Sequence, residues 1–256
     1  MKTLEGFEKR ERTCFFFHSR EVTFWREENT KGVPSMSMLD EKQDALLRHY
    51  VSLLVEANAR ARLIGPSDPE VIWSEHILDC LATVDLLPSE RGVVLDLGSG
   101  GGLPGMVWAV CRPDLQVVLC DSIRKKAELL RFMAASLGLQ NVRVEAIRSE
   151  ELAARERETF LLVGARAVSH LGTVAELCAP LVRKSGVILA MKGPGVQAEL
   201  QEIRGSWAFL GLASPETISY ELNGKSRYLI LLRKNAACPS AIPRRPGMAE
   251  KHPWWR

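Results

Sequence analysis

Val93-Val94-Leu95-Asp96-Leu97-Gly98-Ser99-Gly100-Gly101-Gly102-Leu103-Pro104-Gly105 is the stretch that decides the fold. Its apolar start predicts a short buried strand, with Asp96 at the strand end. The following glycines fit D-x-G-x-G-x-G, a pattern that lets the backbone turn sharply and lets a ligand approach it closely. A helix is expected after Pro104. Residues 116–121 predict a second strand, and its terminal acid, Asp121, comes 23 residues after Gly98. In a doubly wound sheet such a loop lies at the topological switch point where nucleotides bind, and an acid at the neighbouring strand tip can hold both hydroxyls of a ribose.

Working outward, strands and helices alternate. Helices are expected over about 124–137, 149–155, 171–183 and 195–204, with strands over 142–146, 160–168 and 186–191 between them. The last pair breaks the pattern. Strands at 217–222 and 227–232 flank Asn223-Gly224, a strong hairpin signal. Upstream, apolar residues at helical spacing from Leu39 predict a helix running to about residue 62, broken by Gly65-Pro66. Ser67 or Asp68 can cap the next helix, with Pro69 in its first turn. Val71, Ile72, His76, Ile77, Cys80, Leu81 and Val84 mark one face of that helix. His76 reads as a packed histidine bonded to Asp79.

The expected architecture is therefore α/β: a Rossmann-like, mostly parallel sheet over 91–233 closed by an antiparallel hairpin, with a short helical layer over 39–90 before it. Residues 1–38 carry Phe15-Phe16-Phe17 among dense charges with no sustained period, and read as an extension or a mis-assigned start. Residues 234–256 form a basic, Pro-rich tail of net charge +4, against +3 for the whole chain. Two readings stand for that tail, a phosphate-binding arm and a solvated end. Trp254 and Trp255 could stack on bases or belong to a disordered end.

Composition narrows the class further. With 46% hydrophobic and 25% charged residues the chain is globular, not collagen-like or disordered. No apolar run approaches the length a membrane helix needs, and the start has no apolar signal region. The six cysteines form no CxxC pair and no histidines stand at HxxxH spacing, so no metal site is expected. Reduced, buried thiols fit the cytoplasm.

The strand, glycine loop, helix, strand and acid together leave two ligands, a nicotinamide dinucleotide or S-adenosylmethionine. Asp96 beside the loop favours the second, because a carboxylate there faces a cationic ammonium or sulfonium but repels a pyrophosphate. Pro104 points the same way: it lacks the N–H that a diphosphate site uses. Ser149 reads either as a cofactor contact or as a helix cap, and Glu150 as a cofactor contact or a solvated first-turn acid. Arg148, Arg166, Lys192 and Arg227 stand at or near strand ends, where they could converge on a pocket rim and hold RNA phosphates or a guanine carbonyl.

With these residues in view, the chain resembles the RsmG (GidB) family of bacterial small-subunit rRNA guanine-N7 methyltransferases. The resemblance rests on His76-Ile77-Leu78-Asp79, on the loop from Asp96 to its Gly102-Leu103-Pro104-Gly105 end, and on Arg166-Ala167. Met191-Lys192-Gly193, Arg227-Tyr228-Leu229 and the closing Pro243-Arg244-Arg245-Pro246-Gly247 extend it. It covers residues 39–256. It implies that S-adenosylmethionine lies against Gly98, Leu103, Asp121, Ser122, Ile123, Ser149, Glu150 and Arg166. It also implies a 16S rRNA or small-subunit substrate, for which the strand-end cations Arg148, Lys192 and Arg227 are the candidate contacts. A monomer is expected, and guanine N7, with a free lone pair and no proton, needs no general base. Two other functions compete on the same sheet: a nicotinamide-dependent oxidoreductase, and a non-catalytic RNA-binding or ribosome-assembly module.

Overall fold

The computed structural model describes residues 39–256, and the expectation for residues 1–38 lies outside them. Helix α1, Glu41–Asn58, opens with a capping box in which Asp40 and Gln43 satisfy each other's backbone N–H groups. It stops one turn earlier than its apolar spacing predicts. Asn58 Oδ1 there accepts from the N–H groups of Leu63 and Ile64 and turns the chain.

The second helix is not continuous. Asp68 caps α2, Pro69–Ile72, and a π-turn over Trp73–Ile77 follows before α3, Leu78–Leu81. The π-turn carries the Leu78 N–H back to the Trp73 carbonyl, and Val71 ends up exposed rather than on the buried face.

Strands β1, Val93–Leu97, and β2, Gln116–Cys120, flank α4, Gly105–Cys111. Next come α5, Arg124–Ser136, β3, Val142–Glu145, α6, Ser149–Arg155, and β4, Phe160–Arg166. The chain continues through α7, Leu171–Cys178, β5, Val182–Lys192, α8, Val196–Ile203, β6, Glu216–Leu222, β7, Lys225–Arg233, and a final turn of helix, α9, Met248–Lys251. The sheet order is β3-β2-β1-β4-β5-β7-β6, parallel through β5 and antiparallel at the β6–β7 hairpin. Asn223 and Gly224 both take positive φ, +52° and +69°, as a tight two-residue hairpin turn requires.

Between α7 and β5 the expected boundary moves by several residues. Helix α7 ends at Cys178, just before Pro180, and Val182 already pairs with Phe160 ahead of a bulge in the ladder. A short apolar run such as 179–182 has no period that separates helix from strand, so the sequence misplaces it.

Alternating residues of the sheet feed two cores. Val94, Val117 and Leu162 face α1, α4 and α5, while Leu95, Val118 and Val163 face α6, α7 and the C-terminal segment. Trp108 is fully buried in the first core; its ring packs against Gly164 of β4, where a Cβ has no room. Its Nε1–H donates to Thr83 Oγ1 at 2.7 Å, and Thr83 in turn donates to the Cys80 carbonyl. The helical layer is thus pinned to the sheet by a satisfied buried polar chain.

Candidate functional site

The site grows from the carboxyl ends of β1 and β2. Leu97 pairs with Cys120, and both Gly98 and Ser99 donate their N–H groups to the Cys120 carbonyl, at 2.8 and 3.1 Å. Gly98 has φ +74°, and a Cβ on it would meet Val168 Cγ2 at 2.8 Å. Gly102, at φ +97°, is hemmed in by Met106, Leu130 and Tyr50. No other residue type fits these two positions. Tyr50 Oη donates to the Gly101 carbonyl at 2.6 Å, so the helical layer also fixes the loop.

Two carboxylates govern this loop. Asp121 Oδ2 accepts from Gly100 N–H at 2.9 Å, and Oδ1 accepts from Ile123 N–H at 2.8 Å. Each oxygen keeps a lone pair for a further donor. Asp96 is fully buried; its Oδ2 accepts from Gly105 N–H at 3.0 Å, and its Oδ1 has no partner. Asp96 therefore occupies the start of α4 itself, which leaves no seat there for a diphosphate. Burial pushes its carboxyl up to about 7, against the opposing pull of the Gly105 and Ser99 hydrogen bonds and of Arg166.

A cleft of about 730 Å³, measured to its open mouth, lies beside this loop. Leu97, Gly98, Cys120 and Ser122 line it from the strand tips, and Ile147, Arg148, Ser149 and Glu150 from the end of β3 and the start of α6. Val168, Thr173 and Leu177 form the side toward α7, and Gly247, Ala249 and Glu250 complete it from the C-terminal segment. Asp121 and Ile123 are not among its lining residues: Asp121 is buried against the loop, and Ile123 is exposed. Leu103 is buried in the opposite core and does not line the cleft. Ser149 is no cap: its hydroxyl donates to Glu150 Oε2 at 3.1 Å. The sequence reading missed the wall from the tail, although Gly247, with φ +81°, closes a motif it had already noticed.

The strand-end cations are arranged differently from the converging rim expected of them. Of these only Arg148 lines the cleft, exposed and without an ion pair among the described residues. Arg166 crosses to the helical layer, where its Nε meets Asp79 Oδ2 at 2.9 Å and its Nη2 meets His76 Nδ1 at 2.5 Å. Asp79 also accepts from Tyr220 Oη at 2.7 Å, so it is not the partner of His76. Arg227 Nη2 lies 3.1 Å from Glu75 Oε2, and Lys192 Nζ sits 2.8 Å from both the Ser169 carbonyl and Glu199 Oε2. Burial and the Arg166 charge lower His76 to about 4, so its ring is neutral, accepts at Nδ1 and carries its proton on Nε2.

Trp254 and Trp255 are likewise committed. Trp254 Nε1–H donates to the Gly172 carbonyl at 2.8 Å, and Trp255 stacks on His170 at 4.7 Å. The tail is neither disordered nor free to stack on bases. Among the described residues no group of three or more histidine, cysteine or acidic side chains could hold a metal ion, and no helix is long and apolar enough to cross a membrane.

The strand order, the terminal antiparallel hairpin and a glycine loop governed by two strand-end acids define a Rossmann-like, class I S-adenosylmethionine-dependent methyltransferase fold. Within that class, the chain belongs to the rRNA small subunit methyltransferase G family (GidB), whose model matches residues 43–228. It is 35% identical to the "Ribosomal RNA small subunit methyltransferase G" of Moorella thermoacetica, across 84% of this chain and 92% of that one. To the protein of the same name from Rubrobacter xylanophilus it is 37% identical, across 83% and 84%. Among solved structures it is similar to the antibiotic-resistance methyltransferase Kmr, at 17% identity and a TM-score of 0.46, across 56% of this chain and 86% of that one.

Proposed function

We propose that this chain transfers a methyl group from S-adenosylmethionine to N7 of a guanine in 16S ribosomal RNA, as a monomer in the cytoplasm. The orphaned, buried oxygen of Asp96 carries the reading: a carboxylate oxygen without a hydrogen-bond partner at the root of the glycine loop calls for a cation. Asp121 offers its remaining lone pairs to a ribose, while Gly98 and Ser122 would bound the nucleoside and Ser149 and Glu150 its far edge. When bound, S-adenosylmethionine supplies an electrophilic methyl on a positively charged sulfur. Guanine N7 has a free lone pair and no proton, so no side chain need act as a base. The protein's work is to orient the two reactants, exclude water and hold charge at Asp96.

Because Arg166, Lys192 and Arg227 are tied internally, RNA phosphates fall to other cations. Arg60 and Arg62 leave α1 next to the loop, since the Leu63 carbonyl lies against Gly100 and Gly101. Arg124 and Lys125 open α5 on the other side, directly after Ile123. All four are exposed and make no ion pair among the described residues. Neutralising all four to Ala should weaken RNA binding at low salt by roughly tenfold or more and flatten the slope of log affinity against log salt by about 3, with S-adenosylmethionine affinity unchanged. An unaltered salt slope in filter-binding titrations would place the RNA elsewhere.

Asp96 gives the reaction a pH signature. Its carboxyl is held up to about 7, so the folded chain keeps a proton that the unfolded chain releases near 4. Stability of the cofactor-free chain should fall as pH rises from about 4 to 7. The cationic cofactor favours ionised Asp96, so affinity should climb with pH up to about 7, by at most about tenfold per unit, and then level off. Calorimetry should show a proton released on binding below pH 7, and Asp96→Asn should abolish both the release and the slope.

The function is tested by incubating the protein with labelled S-adenosylmethionine and small-subunit RNA, then mapping the modified base by mass. Label on a guanine N7 is expected. Binding of NAD in place of S-adenosylmethionine would favour the oxidoreductase, and cofactor binding without transfer to naked RNA or to the subunit would favour the non-catalytic module.

A further inference from the structure

The C-terminal segment lies beyond the residues matched by the family model, yet it is fastened to the domain at every few residues. Arg157 donates to the carbonyls of Cys238, Pro239 and Ile242 at 2.7 to 2.9 Å. Arg244 grips Glu176 through both carboxylate oxygens, at 2.8 and 2.6 Å, and Glu176 is completely buried. Beyond that clamp Thr173 donates to the Ala249 carbonyl, and Trp255 packs so closely on Gly172 that no Cβ fits between them. The residues held between these anchors are Gly247, Ala249 and Glu250, which line the cleft.

We propose that residues 243–256 form a fixed wall of the cofactor cleft, with Glu250 presenting its carboxylate to the cationic S-adenosylmethionine. The inference rests on the cofactor reading above. A clamp that buries a carboxylate is costly unless its arginine stays in place, so the wall is held rigidly rather than draped over the surface. Glu250 is itself exposed and makes no ion pair among the described residues; with Glu150 it gives the cleft two acids against the one cation, Arg148. That excess of negative charge favours a ligand with net positive charge over an anionic one.

The test is calorimetric titration of S-adenosylmethionine into three proteins. They are the intact chain, a chain ending at Ile242 with Glu176→Gln to relieve the buried charge, and the full-length Glu250→Arg variant. The shortened chain should bind at least about tenfold more weakly, and Glu250→Arg about fivefold more weakly with an unchanged melting temperature. If the shortened chain loses its cooperative melting transition, Glu250→Arg decides alone. Intact protein that binds, with folded variants within twofold of it, overturns the role of the wall and leaves the cofactor reading standing. Intact protein that does not bind overturns both.

Discussion

Replacing Asp121 with alanine should remove S-adenosylmethionine binding and methyl transfer, each by at least about 100-fold. The residue performs two tasks at once. Its carboxylate ties Gly100 of the loop to Ile123 at the head of α5 through two short, charge-assisted hydrogen bonds. Its remaining lone pairs are, in the proposed reading, the acceptors for the nucleoside's hydroxyls. Loss of two such bonds, about 3 kcal/mol, releases the loop, and a ligand that must re-order it on binding forfeits that sum, more than about a hundredfold in affinity. Asp121→Asn should fall between, because its amide must point an N–H group at one of the two backbone donors. Calorimetry and transfer of labelled methyl read both variants, and an alanine variant with full affinity would show that the ribose is held elsewhere.

The second large effect is structural. Arg166→Met should destabilise the protein by about 3–5 kcal/mol, lowering its melting temperature by roughly 10 °C. Asp79 is buried, and Arg166 contributes its closest cation; Arg227 Nε stands off at 3.5 Å. Removing the guanidinium strands a carboxylate inside the protein, whereas removing both charges together does not. Arg166→Met combined with Asp79→Asn should therefore recover a large part of the lost stability, a coupling that a double-mutant cycle measures directly. Its imidazole offers an independent readout. Arg166 helps hold His76 down to about 4, so in Arg166→Met the ring should titrate closer to its ordinary value, visible in the NMR shifts of its ring protons. An unshifted histidine would mean that burial alone neutralises it.

The sequence carried the fold in its strands, its turns and the presence of its helical layer, but not in the break within that layer. The strand, loop and acid from Val93 to Asp121 and the Asn-Gly hairpin are local patterns, and each was legible because neighbouring residues enforce it. The π-turn at Trp73–Ile77 was not, since its extra residue leaves apolar spacing almost unchanged. The site divides along the same line. Gly98, Asp121, Ser122 and Ser149 stand at tips whose positions follow from strand order. Arg166, Lys192 and Arg227 stand at tips too, but which way a long side chain turns depends on partners far away in sequence, such as Asp79, Glu199 and Glu75. No spacing rule reveals those partners. The tail was misread for the same reason: Arg244 finds its acid, Glu176, 68 residues earlier.

That last clamp has a bearing on biogenesis. The strands and loop are complete by residue 233, while three residues that line the cleft lie between 247 and 250. The cleft is therefore finished only by residues made after the sheet's last strand, so its wall forms later in synthesis than the strands it encloses.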